Sequence, residues 1–174
     1  NIRKVLIYYM LNPRELFFLA VVCVNFVQLV ESSQQVLKDM STNFKKALDV
    51  CREELNLPDT IYGDFTNFWK EDYVVTNRDT GCAVLCLAKK LDLVDPDLKL
   101  HHGNAKDFAM QHGADEALAM ELVNIIHVCE TNLLELTDVC MRVLEVGKCF
   151  KAEIHKKGMA PPVDVAVGEI LAEV

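Results

Sequence analysis

Six cysteines, Cys51, Cys82, Cys86, Cys129, Cys140 and Cys149, constrain this chain more than any other feature, because an even set of that density reads as three disulfides. A disulfide framework requires an oxidising compartment. The seventh cysteine, Cys23, lies in a segment unlike the rest. Arg3, Lys4 and Arg14 precede an apolar run over 16–30, interrupted only by Asn25 and Gln28, and Ser32 and Ser33 follow. A basic start, an apolar core and small residues at a cleavage point are the pattern of a secretory signal peptide. Cleavage after Ser32 is expected to remove 1–32, Cys23 included, and to leave a domain of 33–174. A membrane anchor is the competing reading, but the run is short for a span and two amides weaken it.

The removed segment carries Arg3, Lys4, Arg14, Glu15 and Glu31, a net charge of +1, so the chain's −8 becomes −9 for 33–174. A domain so acidic is not drawn to phosphate backbones or anionic lipid by bulk charge, which argues against a nucleic-acid partner.

Helical periodicity runs through most of 33–174. Val36, Met40, Phe44 and Leu48 recur every four residues, Cys51 and Leu55 extend that face, and Pro58 is expected to end it. A shorter helix is expected over 59–70, with Ile61, Phe65, Phe68 and Trp69, then a loop over 71–78. A third helix is expected over 79–91, burying Val84, Leu87 and Leu91. Asp95-Pro96-Asp97 marks a turn, and His101-His102-Gly103 reads as a loop. A short helix with Ala105, Phe108 and Ala109 should end near Gly113. Helices are also expected over 115–130, opened by Asp115 and Glu116, and over 137–157, closed by Gly158 and the Pro161-Pro162 pair. No strand pattern of comparable length competes.

Cys82 and Cys86 stand four apart on one helix and share a face, a poor geometry for bonding each other. Each is expected to reach a different helix. The remaining connectivities stay open on spacing alone.

The cysteine spacing, together with Asp64-Phe65, Phe68-Trp69-Lys70-Glu71, Gly81-Cys82-Ala83, His101-His102-Gly103-Asn104-Ala105, the stretch 149–155 and the tail 164–174, resembles the insect odorant-binding proteins, and within them the lepidopteran pheromone-binding family, over the whole of 33–174. The resemblance implies an all-α, compact six- to seven-helix bundle, stapled by Cys51–Cys86, Cys82–Cys140 and Cys129–Cys149, around an apolar ligand cavity. It implies transport of a small apolar ligand, a long-chain alcohol, aldehyde or acetate, through sensillum lymph to an olfactory receptor membrane. A general carrier of plant odours or lipids shares the same fold and chemistry. A monomer or weak dimer is expected.

By the same resemblance Phe44, Phe68, Trp69, Val84, Ala88, Phe108, Val146 and Phe150 line the cavity. In some relatives a serine bonds the ligand hydroxyl where this chain has Ala88, so an alcohol-specific contact is missing there. Arg142 shares a helix face with Val146 and Phe150, and its guanidinium could serve a carbonyl head group instead. Ser41 and Thr42 are further polar candidates. His101, His102 and His127 are implied as a protonation-sensitive gate, since imidazoles change charge in the mildly acid range.

The tail 163–174 invites a physical reading of its own. Val163, Val167, Ile170, Leu171 and Val174 fall on one helical stripe, while Asp164, Glu169, Glu173 and the terminal carboxylate contribute only negative charge. Unpaired carboxylates resist burial. Acid would neutralise them and allow the stripe to fold inward and displace ligand.

Enzymatic readings find little support. There is no Gly-x-Ser-x-Gly elbow, no Gly-rich calcium loop beside Asp95/Asp97 or Asp115/Glu116, and no unpaired cysteine in 33–174 for a nucleophile. His112, His127 and His155 lack an obvious partner acid. His101 and His102 have no evident third ligand, so neither metal nor cofactor is expected.

Overall fold

In the computed structural model, which describes residues 12–162, the Val36–Leu48 periodicity becomes the buried face of a single helix, α1 (Pro13–Leu55). Val36, Leu37, Leu48 and Cys51 are buried on it, with Met40 and Phe44 half-buried between. The helix runs through Ser32 and Ser33 without a break. Its first part is exposed, with Phe17, Phe18, Val22, Phe26 and Leu29 facing outward, and packing onto the bundle begins at Ser33. By length and composition alone, this helix is apolar enough to cross a membrane.

Asn56, not Pro58, ends α1. It adopts the left-handed conformation (φ 49°), and the Leu57 N–H reaches back to the Arg52 carbonyl at 2.9 Å. That bond satisfies a terminal acceptor, and asparagine tolerates the backbone it needs. Leu55, expected on the apolar face, is 45% exposed.

Among the described residues five shorter helices follow: α2 (Thr60–Asn67), α3 (Arg78–Lys90), α4 (His102–Gln111), α5 (Glu116–Thr131) and α6 (Val139–Lys156). Side chains at the N-caps set four of these starts: Asn77, His101, Asp115 and Asp138 each accept a backbone N–H of the first turn. Thus the expected loop at His101-His102-Gly103 is a helix start, with His101 as cap and His102 as first residue. Phe68 and Trp69, expected inside the second helix, lie just beyond its end. On α3, Leu87 is buried as expected, whereas Val84 and Leu91 are only half-buried. The turn at 95–97 closes an isolated antiparallel bridge between Val94 and Leu100.

The three disulfides are Cys51–Cys86, Cys82–Cys140 and Cys129–Cys149, with Cα separations of 5.9, 4.6 and 5.8 Å. They join α1 to α3, α3 to α6 and α5 to α6, so α3 is the post from which two staples leave. Closing loops of 35, 58 and 20 residues restricts the unfolded chain by roughly 3 to 4 kcal/mol each. The fold is an all-α bundle. The tail 163–174 lies outside the described residues.

Candidate functional site

Two groups of aromatic side chains pack in the interior, and Met40 packs against both. In one, Phe44 from α1 meets Phe108 from α4 with ring centroids 5.5 Å apart. Ala88 of α3, Leu91, Leu93, Leu100 and Val123 complete that group. In the other, Trp69 stands edge-on to Phe68 at 4.9 Å and to Phe150 of α6 at 6.3 Å. Val36, Leu37, Val146 and Ile154 surround them. Aromatic rings of this kind bring large apolar area with few rotamers to freeze. Of the expected lining residues, Val84 alone is not packed against these groups among the described residues.

Polar groups are sparse here, and their hydrogens are largely committed. The Trp69 indole N–H donates to Ser41 Oγ at 3.0 Å, and Ser41 donates to the Leu37 carbonyl at 2.7 Å. Thr42 donates to the Lys38 carbonyl. Both hydroxyls therefore bond back to their own helix, as helical Ser and Thr commonly do. What each retains is acceptor capacity. Arg142 is half-buried on α6, one turn before Val146, and among the described residues no hydrogen bond or ion pair holds its guanidinium.

The three histidines expected to form a gate separate into two arrangements. His102 and His127 meet edge-on, with ring centroids 4.7 Å apart and Nε2 of His102 3.1 Å from Nδ1 of His127. One nitrogen donates and the other accepts, so the pair holds only while at least one ring is neutral. His101 caps α4, its Nδ1 accepting the Asn104 N–H at 3.2 Å. Asp164 and Glu173 lie outside the described residues.

Other contacts escaped the pattern of the sequence. His112 Nδ1 donates to the Phe108 carbonyl at 2.7 Å, which leaves Nε2 to accept from the Asn43 amide at 2.9 Å. That bond ties α4 to α1 beside the Phe44–Phe108 contact. Lys151 and His155 on α6 bond the main chain around Trp69. A histidine or lysine aimed at a carbonyl leaves no periodic trace, so none of these could have been read in advance. A separate open groove of about 440 Å³, lined by Glu54, Leu55, Leu85, Lys89, Lys90 and three half-cystines, lies outside these groups.

The sequence profile of the PBP/GOBP family matches residues 33–153. The chain belongs to that family. It is 56% identical over 165 residues to "Pheromone-binding protein 2" of Epiphyas postvittana, covering 95% of this chain and all of the relative. It is 36% identical over 158 residues to "General odorant-binding protein 2" of Antheraea pernyi, covering 91% and 95%. Among solved structures, that of Epiphyas postvittana Pheromone Binding Protein 3 matches with a TM-score of 0.60 at 50% identity, covering 64% of this chain and 95% of that one. The PBP/GOBP relatives are binding proteins rather than enzymes, and this chain is one of them. The matched residues begin at Ser33, where α1 passes from exposed to packed.

Proposed function

We propose that this protein binds, solubilises and carries a small apolar odorant, a long-chain alcohol, aldehyde or acetate of the pheromone type, through sensillum lymph to an olfactory receptor membrane. Residues 1–32 act as its signal peptide and are removed on secretion. What carries the reading is the pair of aromatic groups, Phe44 with Phe108 and Trp69 with Phe68 and Phe150, both packed against Met40 in a chain of this family. The pheromone-binding relative, at 56% identity, favours a pheromone over a general plant odour.

The energetics suit a carrier. Each buried CH₂ contributes about 0.8 kcal/mol, so a chain of roughly a dozen carbons gains about 10 kcal/mol gross. Loss of translational freedom and desolvation of the head group offset part of this. A Kd on the order of micromolar results.

Release follows acidification. His102 and His127 both become donors when protonated, and their bond is replaced by repulsion between like charges. That loosens the start of α4, the helix that carries Phe108. Over a lower acid range Asp164, Glu173 and the terminal carboxylate lose their charge, and the apolar stripe of 163–174 competes for the site.

Titrating a fluorescent apolar probe into the oxidised, delipidated protein near pH 7 and near pH 5 tests both parts. Saturable binding that collapses in acid supports the whole reading. Equal binding at both removes the release mechanism, and no binding at either, with three disulfides intact, removes the carrier. Deleting 163–174 should retain ligand in acid. If acid still expels it, the tail has no part in release.

A further inference from the structure

The segment between α2 and α3 has little regular structure, so its backbone carbonyls must find partners elsewhere. Three of them find these on α6. The Lys151 ammonium donates to the Tyr73 carbonyl at 2.6 Å and also to that of Lys70. His155, one turn further along the same face, bonds the Trp69 carbonyl through Nε2 at 2.9 Å, and since a carbonyl only accepts, Nε2 carries the hydrogen. Lys151 is 8% exposed, which is rare for lysine. Burial lowers its pKa from the ordinary lysine value, while Asp72 and Glu71 act in the opposite direction.

Trp69 is therefore held at two ends. Its indole N–H is fixed by Ser41 on α1, and its carbonyl by His155 on α6. The next residues of the segment are fixed through Lys151. Lys151 is no part of the aromatic contacts among Phe68, Trp69 and Phe150, whereas His155 also meets the Trp69 ring, with centroids 6.4 Å apart; both set the backbone from which the indole projects.

We propose that Lys151 and His155 are positioning residues of the apolar site: they hold the 69–73 carbonyls from α6 and so fix the Trp69 indole between Phe68 and Phe150 as a wall against the ligand. The proposal rests on the ligand-site reading above and extends it to two residues that act through the main chain of 69–73, His155 with a ring contact to Trp69 besides.

Trp69 is the sole tryptophan, so its emission reports its own surroundings. The full chain is expressed in a secretory host and purified oxidised and delipidated, as wild type, Lys151→Met, Lys151→Arg and His155→Phe. Lys151→Met should shift Trp69 emission to the red and weaken binding of the fluorescent apolar probe by about five- to tenfold, the effect of losing one or two such bonds. Far-ultraviolet circular dichroism should stay unchanged. Lys151→Arg keeps several donors and should restore both readouts. Should Lys151→Met fail to fold, His155→Phe carries the test with the same two readouts. Unaltered emission and affinity in the folded variant overturn the proposal, as does failure of Lys151→Arg to recover what Lys151→Met loses. The ligand-site reading fails separately, if folded wild type binds no probe; the emission shift then still decides whether these residues position Trp69.

Discussion

Gly81 on α3 lies directly against the backbone of Cys140 at the start of α6: a Cβ there would overlap the Cys140 carbonyl oxygen and stand 2.9 Å from its carbonyl carbon and 3.1 Å from Leu144 Cβ. The neighbouring Cys82 is bonded to that same Cys140. Close approach of the two helices thus depends on a residue with no side chain, which gives the Gly81-Cys82 pair a physical reason. Gly81→Ala gains about 1 kcal/mol of helix propensity, but the obstacle is backbone and cannot swing away. Overpacking of this kind costs roughly 1 to 3 kcal/mol. A net loss of about 1 to 2 kcal/mol is expected, read as a lower urea midpoint for the oxidised protein. An unchanged midpoint would mean that α3 and α6 can separate freely.

Much of this fold was legible because helical periodicity is a strong signal when one face is buried. Val36, Leu48, Cys51, Leu87, Leu122 and Cys129 all lie where the apolar spacing predicts. Helix ends were less legible, since they depend on single side-chain-to-backbone bonds. Asn56 ended α1 ahead of Pro58, and His101 served as a cap where two histidines and a glycine looked like a loop. The disulfide pairing was out of reach of spacing alone and came only with the family resemblance. In the candidate site, the packing together of the aromatic residues was readable and its hydrogen-bonded support was not. Ser41 looked free for a ligand, but its hydrogen goes to Leu37 and it accepts from Trp69. Lys151 carried no role in the sequence reading, and it is buried against two carbonyls.

Two phenols should ionise late. Tyr73 donates to Asp64 at 2.6 Å, and that bond, followed by burial, raises its pKa above the ordinary tyrosine value. Burial and then the bond to Asp49 do the same for Tyr62. Because the folded protein holds these protons more tightly than the unfolded chain, their contribution to stability is whole below the unfolded tyrosine pKa. It is lost as the pH rises through the raised folded values. Ultraviolet absorbance followed through an alkaline titration should show two late-ionising groups. Asp64→Asn should bring one of them down and leave the other. Both moving together would show that Asp64 does not act on Tyr73 specifically.

Asp138 gives the opposite pH dependence. It caps α6 by accepting the Met141 N–H at 3.1 Å and pairs with Arg78 Nε at 2.7 Å. The bond from Arg78 first, then that from Met141, lowers its pKa below the ordinary aspartate value. The stabilisation is therefore present above the unfolded pKa and lost as the pH falls through the lowered folded one. The ion pair is half-exposed and contributes little, so the cap should dominate. Asp138→Ala should lower the melting temperature near neutrality by a few degrees, and Asp138→Asn, which keeps a capping oxygen, by less. Thermal melts across the acid range should show the gap between wild type and Asp138→Asn closing. A constant gap would mean that the charge is irrelevant and only side-chain shape matters.

Head-group preference should respond to Ala88. This residue packs among Phe44, Phe108, Leu91 and Leu93, and the polar pair beside them, Asn43 and His112, is bonded to itself. An alcohol ligand brought there loses hydrogen bonds to water and finds none in return, while an acetate or aldehyde has no donor to leave unsatisfied. Ala88→Ser introduces one hydroxyl. On a helix it will donate back to the carbonyl four residues earlier, and its lone pairs remain free to accept from an alcohol. A single neutral hydrogen bond is worth about 1 kcal/mol, or roughly fivefold in Kd. Displacing a fluorescent probe with an alcohol and an acetate of equal chain length should show the variant gaining about that factor for the alcohol relative to the acetate. Equal change for both ligands would mean that position 88 alters only the volume of the site, and that the head group is held elsewhere, with Arg142 as the next residue to replace.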